Sequence, residues 1–365
     1  MSEPWTVWGI ECSLFTGKLE GILRAKGVEY TPPRTDIANQ RRLSALTGIM
    51  QMPTVEAADG TIYSDTTLIH RWLEDNHSGP SLSPAAPHAR FISRLIEDWA
   101  DEYMWRPAMY FRWIKPACRQ VSAGRIVDQM MPKVALPRWL KIRMIRFRQY
   151  GIYVWGDGVR TKAQRAATDQ LYYDLLDVLE QILATRPFIM GDRPTEADFG
   201  LFGPFFRHFF YDPLPGPIMQ ARAPHVALWC TRMWANRPEK FADKPLIADV
   251  PDDLGPLFAI INRDYFPYMA ANAQAVAAGN KKTRHHTANT DWSEYTKPFR
   301  LWCYSEIKSE FAGLNDADQT KVGDLLGQGA IDHLCADLPC PPPVAPPAIP
   351  LTPDQNVSRQ DSWMR

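Results

Sequence analysis

The chain has 365 residues, a length that roughly two to three domains would share, each able to bury a core without disulfide support. Its 41 Lys and Arg residues balance its 41 Asp and Glu residues. No net charge therefore favours a nucleic acid, an anionic membrane or an acidic substrate, so a charged partner must meet a local patch. With 45% hydrophobic and 22% charged residues, wholesale disorder is excluded.

The six cysteines are scattered and form no Cys-x-x-Cys pair. This pattern is poor for a zinc site or a secreted disulfide framework. The N-terminal residues lack the basic and apolar regions of a signal peptide, and no uninterrupted apolar run approaches the length of about 18 residues that a membrane-spanning helix needs. We therefore expect a soluble, cytoplasmic protein with no integral membrane segment.

The first 80 residues alternate between strand and helix patterns. Residues 5–10 form a short β-like run, and a helical pattern follows that ends at Gly27, a residue typical of helix C-termini. Residues 28–32 can form a second strand. Asp59 and Gly60 separate two further strand-like runs, which predicts a β-hairpin, and residues 68–73 carry a helical stripe. The order β-α-β-α-β-β-α predicts a thioredoxin-like layer.

Beyond a Gly-, Ser-, Pro- and Asn-rich linker at residues 76–90, the patterns are helical. Apolar residues recur at three- and four-residue spacing over residues 91–113, 163–183, 198–210 and 226–236. Further helix-like segments follow at residues 257–278 and 295–311. The predicted fold class is therefore an α/β thioredoxin-like N-terminal domain followed by an all-α helical-bundle domain with a helical C-terminal extension.

These patterns predict four parts. Their bounds are residues 1–80 for the thioredoxin-like domain, 88–245 for the helical domain, 255–335 for the helical extension and 336–365 for a Pro-rich, disordered tail.

Four separated motifs resemble those of the glutathione S-transferase superfamily. They are Ser13-Leu-Phe-Thr-Gly-Lys18, Gln51-Met52-Pro53-Thr54-Val55, the acidic-hydroxyl pair Asp65-Thr66 at a helix start, and Gly191-Asp192-Arg193-Pro194-Thr195-Glu196-Ala197-Asp198. In this order and spacing they identify residues 1–240 as similar to that family. The resemblance implies glutathione as co-substrate, bound by the N-terminal domain, and a homodimer.

Ser13 is the predicted catalytic residue, because it lies where the first strand meets the first helix. A thiol with a pKa near 8.5 is only a few per cent thiolate at pH 7. A hydroxyl donor and free N–H groups at a helix N-terminus would stabilise the thiolate of glutathione. The alternative is that Ser13 is only an N-cap.

The resemblance also implies several glutathione-binding residues. Pro53 is expected to follow a cis peptide bond, so that Met52 can pair with the cysteinyl unit of glutathione, and Gln51 could reach its glycine end. Asp65 and Thr66 would hold the γ-glutamyl ammonium and carboxylate, with Asp65 acting within one chain or across a dimer interface. Phe15 lies on the same first turn as Ser13. Arg41 and Arg42 are weaker candidates for the glycine carboxylate.

Two residues near Ser13 compete for its role. Cys12 precedes the helix and could form a mixed disulfide with glutathione, as in the thiol-transfer branch of the superfamily. Thr16 is a second candidate hydroxyl. Gly17 lies inside the helix, and fraying there would weaken the dipole that supports a thiolate.

The pocket for the second substrate is expected between the domains. Its predicted lining is Tyr103, Arg106, Tyr110 and Trp113, because aromatic walls suit a hydrophobic or planar electrophile and an arginine could hold an acidic group. Packing in the core is the alternative for most of them.

Three further features have structural interpretations. Thr195 and Asp198 form a capping-box pattern, which predicts a role in stability. Residues 138–148 contain five basic residues; we expect a solvated helix packed on its apolar stripe of Leu140, Met144 and Phe147, with an anionic partner or membrane surface as the alternative. His285 and His286 have no partner at metal-ligand spacing, so no metal site is expected.

The leading functional hypothesis is an enzyme of detoxification type that activates the glutathione thiol for attack on a hydrophobic or aromatic electrophile. Conjugation, ether cleavage, dehalogenation and isomerisation all fit this chemistry, and no nucleic acid is involved. The alternatives are a non-catalytic binding or regulatory protein of the same fold and a glutathione-dependent thiol-disulfide reductase that uses Cys12.

Overall fold

The computed structural model describes residues 3–48, 50–338 and 350. The expected Pro-rich tail at residues 336–365 thus lies almost entirely outside the described residues. The N-terminal part has the predicted order of elements. It consists of β1 (Trp5–Trp8), α1 (Leu14–Lys26), β2 (Tyr30–Thr31), α2 (Ile37–Thr47), β3 (Thr54–Glu56), β4 (Ile62–Ser64) and α3 (Thr66–Asn76).

These strands form one mixed four-stranded sheet in the order β2-β1-β3-β4, with β1 parallel to β2 and antiparallel to β3. Successive side chains of a strand point to opposite faces. Val7 accordingly lies in the main core, whereas its neighbour Trp8 packs with Leu43 and Ile62 against α2. The sheet is therefore covered by helices on both faces, as in a thioredoxin-like layer.

Helix α1 begins and ends as the sequence predicts. Ser13 is its N-cap, and Gly27 ends it with a φ of 74°, a conformation that glycine adopts without steric cost. The helix is continuous through Gly17. A Cβ atom on Gly17 would lie 2.3 Å from Cγ of Arg207, so this glycine lets Arg207 cross the helix and pair with Glu20. The concern that α1 frays at Gly17 is not supported.

The second part is helical. It consists of α4 (Pro87–Glu102), α5 (Trp105–Trp113), α6 (Pro116–Met130), α7 (Arg138–Gly156), α8 (Lys162–Thr185), α9 (Glu196–Pro204), a π-helix (Phe205–Phe210), α10 (Pro215–Arg222) and α11 (Pro224–Trp234).

The helix expected at residues 91–113 is divided in two, between α4 and α5. Pro107 has no N–H to donate to the carbonyl of residue 103, so an uninterrupted helix would lose a hydrogen bond and meet a steric clash there. After this division, most of the aromatic side chains of α5 are buried in the core.

The capping box at the start of α9 is formed as predicted. Thr195 and Asp198 bond reciprocally, and Asp198 also accepts the N–H of Ile189 at 2.9 Å and the indole N–H of Trp229 at 3.0 Å. Asp198 is completely buried. This carboxylate therefore links three segments of the helical core through hydrogen bonds.

Helix α7 differs from the expectation. Its stripe of Leu140, Met144 and Phe147 does not pack on the bundle, because Met144 and Phe147 are exposed. The helix instead packs through a second apolar face that includes Ile142 and Val154.

The C-terminal extension contains α12 (Gly255–Ala277), β5 (Lys282–Thr287), β6 (Thr290–Tyr295), α13 (Pro298–Ala312), α14 (Asp316–Leu326) and α15 (Gln328–Cys335). The antiparallel hairpin of β5 and β6 was not expected. Its turn residues Ala288 and Asn289 have φ values of 48° and 52°, a two-residue geometry that sequences usually mark with Asn-Gly or Asp-Gly. Ala-Asn carries no such signal, so the region reads as a polar loop.

Buried ion pairs hold the extension on the bundle. Glu294 of β6 pairs with Arg106 of α5 and lies 3.8 Å from Arg300 of α13. His88 of α4 lies 3.1 Å from Asp318 of α14. Within the described part of the chain, no helix combines the length and the apolar character needed to cross a bilayer.

Candidate functional site

An open cavity of about 820 Å³, counting the space at its mouth, lies between the N-terminal sheet, α4 and α13. Six residues predicted from the sequence line it together: Phe15, Gln51, Met52, Pro53, Asp65 and Thr66. Residues that are distant in sequence thus meet at one site.

The segment before β3 supplies one wall. The Met52–Pro53 peptide bond is cis, as expected. Gln51 is held in place through its main chain, since its carbonyl oxygen accepts the Nε2–H of Gln40 at 3.0 Å. The main chain of residues 51–53, directly before β3, therefore lies at the cavity, where an extended peptide can bind.

The N-terminus of α3 supplies the adjoining wall. Oδ1 of Asp65 accepts the N–H groups of Thr67 at 3.0 Å and Leu68 at 3.2 Å. Asp65 has a φ of 70°, which is rare for a residue with a side chain and is often found at functional sites. The helix start and the Thr66 hydroxyl form a place for an anionic group, while the second carboxylate oxygen of Asp65 has no hydrogen bond among the described residues.

The cavity is rich in carboxyl groups. Its lining includes six of them against two guanidinium groups; the acidic residues are Asp65, Glu97, Asp98, Asp101, Glu102 and Glu306. Four belong to α4, where the pairs at residues 97 and 101 and at residues 98 and 102 repeat every four residues and so lie on one side of the helix.

The buried Lys18 of α1 partly balances this charge. Its Nζ lies 2.7 Å from Oε1 of Glu97, pairs with Asp101 and donates to Oγ1 of Thr67 at 3.1 Å. The second oxygen of Asp101, Oδ1, is buried and makes no hydrogen bond among the described residues. One ammonium group therefore serves two carboxylates, and the cavity has an acceptor to spare.

Burial and the neighbouring acidic groups raise the pKa values of two of these carboxyl groups, Asp98 and Asp101. Burial, followed by the charge of Glu97, raises the pKa of Asp101 to about 7 despite the opposing charge of Lys18. Burial and the charge of Glu102 hold the pKa of Asp98 well above its usual value. A cation bound in the cavity would lower both pKa values and stabilise the ionised carboxylates.

Helix α13 of the extension forms the opposite wall. Phe299 and Trp302 line the cavity with their rings stacked at a centroid distance of 5.7 Å. The two arginines of the lining already have partners: Nη2 of Arg71 lies 2.7 Å from Glu310, and Nη1 of Arg94 lies 3.3 Å from the same carboxylate. An aromatic surface thus faces the polar walls of the N-terminal domain.

Ser13 is half-buried and lies outside the residues that line this cavity. Its Oγ accepts the N–H of Thr16 at 3.4 Å, which makes it an N-cap. A hydroxyl that accepts one hydrogen bond can still donate its own proton. Phe15, two residues on, reaches the cavity, so the helix start lies near it. Thr16 is completely buried, and Gly9 and Pro53 pack near it.

The cysteines near the site are poor nucleophiles. Cys12 is 1% exposed, and burial raises the pKa of its thiol. Cys303 of α13 lines the cavity, but burial and the charge of Glu102 hold its pKa well above the usual value. Because the thiolate is the reactive form, this geometry does not favour a reductase that uses Cys12.

The predicted pocket residues of α5 lie elsewhere. Tyr103, Arg106, Tyr110 and Trp113 are buried, and none lines the large cavity. Arg106 pairs with Glu294, and Tyr110 donates to Asp169 at 2.8 Å. These aromatic and arginine side chains pack in the core and attach the hairpin, and the aromatic wall of the large cavity consists of Phe299 and Trp302 of α13.

Other weak candidates also take structural positions. Arg42 forms a bidentate ion pair with Glu56, and neither Arg42 nor Arg41 lines the cavity. His285 lies in β5 and bonds to Glu294 at 3.1 Å. Among the residues that the structure describes, no cluster of His, Cys, Asp and Glu could hold a metal ion.

Sequence reasoning missed the carboxylates of α4 and the whole contribution of α13. The acidic residues carried a usable signal, because two acidic pairs spaced four apart occur together within residues 97–102 of one helix. The role of α13 carried none, since its contact with α3 spans more than 200 residues of sequence, as in the pair of Arg71 and Glu310.

Comparisons with known proteins agree with the sequence motifs. Residues 162–232 match the family model described as glutathione S-transferase, C-terminal domain. No curated protein sequence matches the chain.

Several solved structures are similar. Glutathione S-transferase III in its apo form is 17% identical, with 68% of this chain and 100% of that chain covered and a TM-score of 0.39. The β-etherase LigF from Sphingobium sp. strain SYK-6 is 19% identical, with 64% and 96% covered and a TM-score of 0.43. A maleylacetoacetate isomerase from Methylobacterium extorquens AM1, solved with malonate and GSH, is 18% identical, with 63% and 92% covered and a TM-score of 0.36.

Residues 162–232 match a glutathione S-transferase C-terminal domain, and this match confirms the resemblance of the chain to that superfamily.

Proposed function

We propose that the chain is a glutathione-dependent transferase that binds glutathione in the cavity between the N-terminal sheet, α4 and α13. The observation that carries the proposal is the meeting of Met52, Pro53, Asp65 and Thr66 with the carboxylates of α4 in one cavity. Glutathione offers an extended peptide with an ammonium group and a carboxylate at its γ-glutamyl end. Each of these has a complementary group in the lining.

In this proposal the γ-glutamyl carboxylate binds at the start of α3 and the ammonium binds beside Asp65 and Asp101. The free Oδ1 of Asp101 supports this assignment, because a buried acceptor without a donor is costly until a ligand supplies one. The cysteinyl unit would pair with the main chain of Met52. Its sulfur would then point toward the start of α1.

Ser13 would stabilise the thiolate by donating its hydroxyl proton as a hydrogen bond, with added support from the N-terminus of α1. Lowering the thiol pKa by about two units requires roughly 2.7 kcal/mol, which one charge-assisted hydrogen bond and the helix start can supply together. The thiolate then attacks an electrophilic carbon of a hydrophobic or aromatic substrate held against Phe299 and Trp302.

The second candidate is a non-catalytic glutathione-binding protein of the same fold. The observation that favours it is the position of Ser13, which caps α1 and does not line the cavity. The two candidates share the binding site and differ in the protonation state of the bound thiol. The homodimer and the cytoplasmic location expected from the sequence stay predictions under either one.

Calorimetric titration at pH 7 in two buffers of different ionisation heat distinguishes these candidates. S-methylglutathione is the matched ligand, because it has no thiol proton and corrects for protons that Asp101 releases. We expect both ligands to bind, with glutathione releasing close to one additional proton, and Ser13→Ala to abolish only that difference. Asp36→Ala is the control variant, since it removes the N-cap of α2 away from the cavity.

Equal proton release for both ligands would support the binding protein, and absence of binding would overturn both candidates. Turnover of glutathione with a panel of aryl halides, aryl ethers and activated alkenes then tests the enzyme directly. A reductase that uses Cys12 predicts a different outcome, namely activity lost in Cys12→Ser and retained in Ser13→Ala.

A further inference from the structure

Helix α7 presents an apolar face to solvent. Phe147 is 85% exposed, Trp139 66%, Trp155 57%, Met144 48% and Ile152 42%. At 100° per residue, Met144, Phe147, Ile152 and Trp155 fall within an arc of about 140° and so share one side of the helix, whereas Trp139 lies in the first turn, outside that arc. Exposed apolar residues elsewhere, such as Leu228, are single positions on other elements, so the concentration on α7 needs an explanation.

This face is additional to the one that holds the helix in the fold. Ile142 and Val154 are buried, and Ile145, Tyr150 and Tyr153 pack against the main core. The attachment of α7 is therefore complete without the exposed residues.

The charged residues of α7 itself are all positive. The 19 residues of α7 include Arg138, Lys141, Arg143, Arg146 and Arg148 and no acidic residue. Arg138 pairs with Asp128, and the buried Lys141 donates to the carbonyl of Met131 at 2.9 Å. Arg143 and Arg148 are exposed and have no carboxylate partner among the described residues.

A neighbouring helix adds to the positive charge. Burial and the charge of Arg146 lower the pKa of Arg119 on α6, so these two guanidinium groups lie close together without an acid between them. Some exposed arginines elsewhere do have acidic partners, as Arg222 has Asp177 and Arg186 has Asp253. The surface of α7 is thus basic and apolar at once.

We propose that the exposed face of α7 is a docking surface for an anionic lipid bilayer. A helix of this length spans about 28 Å along the membrane plane, with Phe147, Met144 and Ile152 entering the acyl boundary. The indole ring of Trp155, near the C-terminal end of this face, suits the headgroup level, where tryptophan is enriched. Arg143 borders the apolar arc, and Arg148 lies within it with a side chain long enough to reach the headgroup level. These two unpaired arginines match anionic headgroups, whereas charged residues are depleted at the centre of protein interfaces.

Flotation with lipid vesicles tests this proposal on the full-length protein. We expect the chain to float with vesicles of phosphatidylcholine and phosphatidylserine and much less with phosphatidylcholine alone, and added salt to weaken the binding. Phe147→Ser combined with Ile152→Ser should reduce the partition coefficient at least about tenfold. Arg143→Gln combined with Arg148→Gln should remove the preference for anionic vesicles.

Leu228→Ser is the matched control, because Leu228 is 55% exposed on α11, a helix outside this face. All these positions are on the surface, and circular dichroism checks that each variant is folded. Absence of binding to anionic vesicles overturns the proposal, as does equal binding by the Phe147 and Leu228 variants. Self-association that Phe147→Ser abolishes, without vesicle binding, would assign the face to a second copy of the chain instead.

Discussion

Two buried clusters of charged groups in this protein have opposite charge balance. Around Glu294, one carboxylate faces Arg106, Arg300 and His285. Burial acts to raise its pKa, but the charge of Arg106 and the bond with His285 lower it to about 2. In the cavity, Asp101 shares the single Lys18 with Glu97, and its pKa rises to about 7.

The difference separates a structural cluster from a binding site. A buried carboxylate that is matched by cations keeps its charge and fastens elements together, here the hairpin to α5. A buried carboxylate without enough cations holds its proton until a ligand supplies a positive charge. The balance of charge around a buried carboxylate therefore distinguishes a structural cluster from a binding site better than burial alone.

Glu294→Gln is expected to have the largest effect on stability. It leaves Arg106 and Arg300 without their shared carboxylate, and loss of one partner of a buried ion pair costs about 3–5 kcal/mol. Urea unfolding followed by circular dichroism measures the change. Asp101→Asn is the comparison variant and should cost much less, because it relieves crowding of negative charge; an equal loss from both would contradict the distinction.

Asp198 is a third kind of buried carboxylate, one that is matched by hydrogen-bond donors, and Asp198→Ala removes it. It would leave the N–H groups of Ile189 and Thr195 and the indole N–H of Trp229 without an acceptor. Unsatisfied buried donors cost about 1–3 kcal/mol each, so we expect a loss of at least about 3 kcal/mol. Glutathione affinity measured below the unfolding transition should be unchanged, and a lost affinity in a protein with unaltered melting would contradict this role.

The pH dependence of stability should have opposite signs in the two clusters. The pKa of Glu294 is lowered on folding, so its contribution is present above pH 4.5 and is lost as the pH falls toward about 2. The pKa of Asp101 is raised on folding, so its contribution is present below pH 3.8 and is lost as the pH rises through about 7. Relative to the Asp101→Asn variant, the free energy of unfolding of the wild-type chain should fall by about 1–3 kcal/mol between pH 4 and pH 7.

Urea midpoints of both proteins across this pH range provide the measurement. A flat difference between them would show that Asp101 keeps its charge throughout. Binding of S-methylglutathione should strengthen as the pH rises through about 7, because the ionised Asp101 is the form that holds an ammonium group.

Asp65→Ala compares capping with ligand binding. Loss of this N-cap should cost about 1 kcal/mol, and glutathione binding should weaken at least about tenfold because a charge-assisted contact disappears. Asp36→Ala removes a similar cap from α2, outside the cavity. Calorimetry should find normal glutathione binding in that variant, and an equal loss in both would assign Asp65 to capping alone.

Arg71→Ala should have the smallest effect. Arg71 is partly exposed, and its bonds to Glu310 and Glu306 link α3 to α13. Partly exposed ion pairs contribute less than about 1 kcal/mol. A larger shift of the urea midpoint would show that this pair holds the extension in place.

The sequence predicted the elements that depend on local chemistry. The caps at Ser13, Gly27 and Asp198 and the hairpin at Asp59 and Gly60 follow from residue types that act within a few positions. The second hairpin was missed because Ala288 and Asn289 adopt positive φ without glycine. The division between α4 and α5 was missed although Pro107 marks it.

The site could be predicted only on one side. The N-terminal motifs named the residues of the sheet and of α3, and the structure brings six of them to one cavity; their roles remain predictions. The opposite wall depends on the packing of α13, which no local pattern encodes. The aromatic residues of α5 were a natural choice for that wall, but their large side chains are taken up by the core.

Because α13 forms a wall of the cavity, occupancy of the cavity and attachment of the extension are thermodynamically coupled. A ligand that touches both α3 and α13 needs the extension in its attached position. At a concentration a hundred times its dissociation constant, such a ligand stabilises this attachment by about 2.7 kcal/mol. By reciprocity, any change that destabilises the attachment of α12–α15 lowers the affinity for the ligand by the same factor. A ligand bound in the cavity would therefore strengthen the attachment of the C-terminal extension, and the attached extension would strengthen the binding of that ligand.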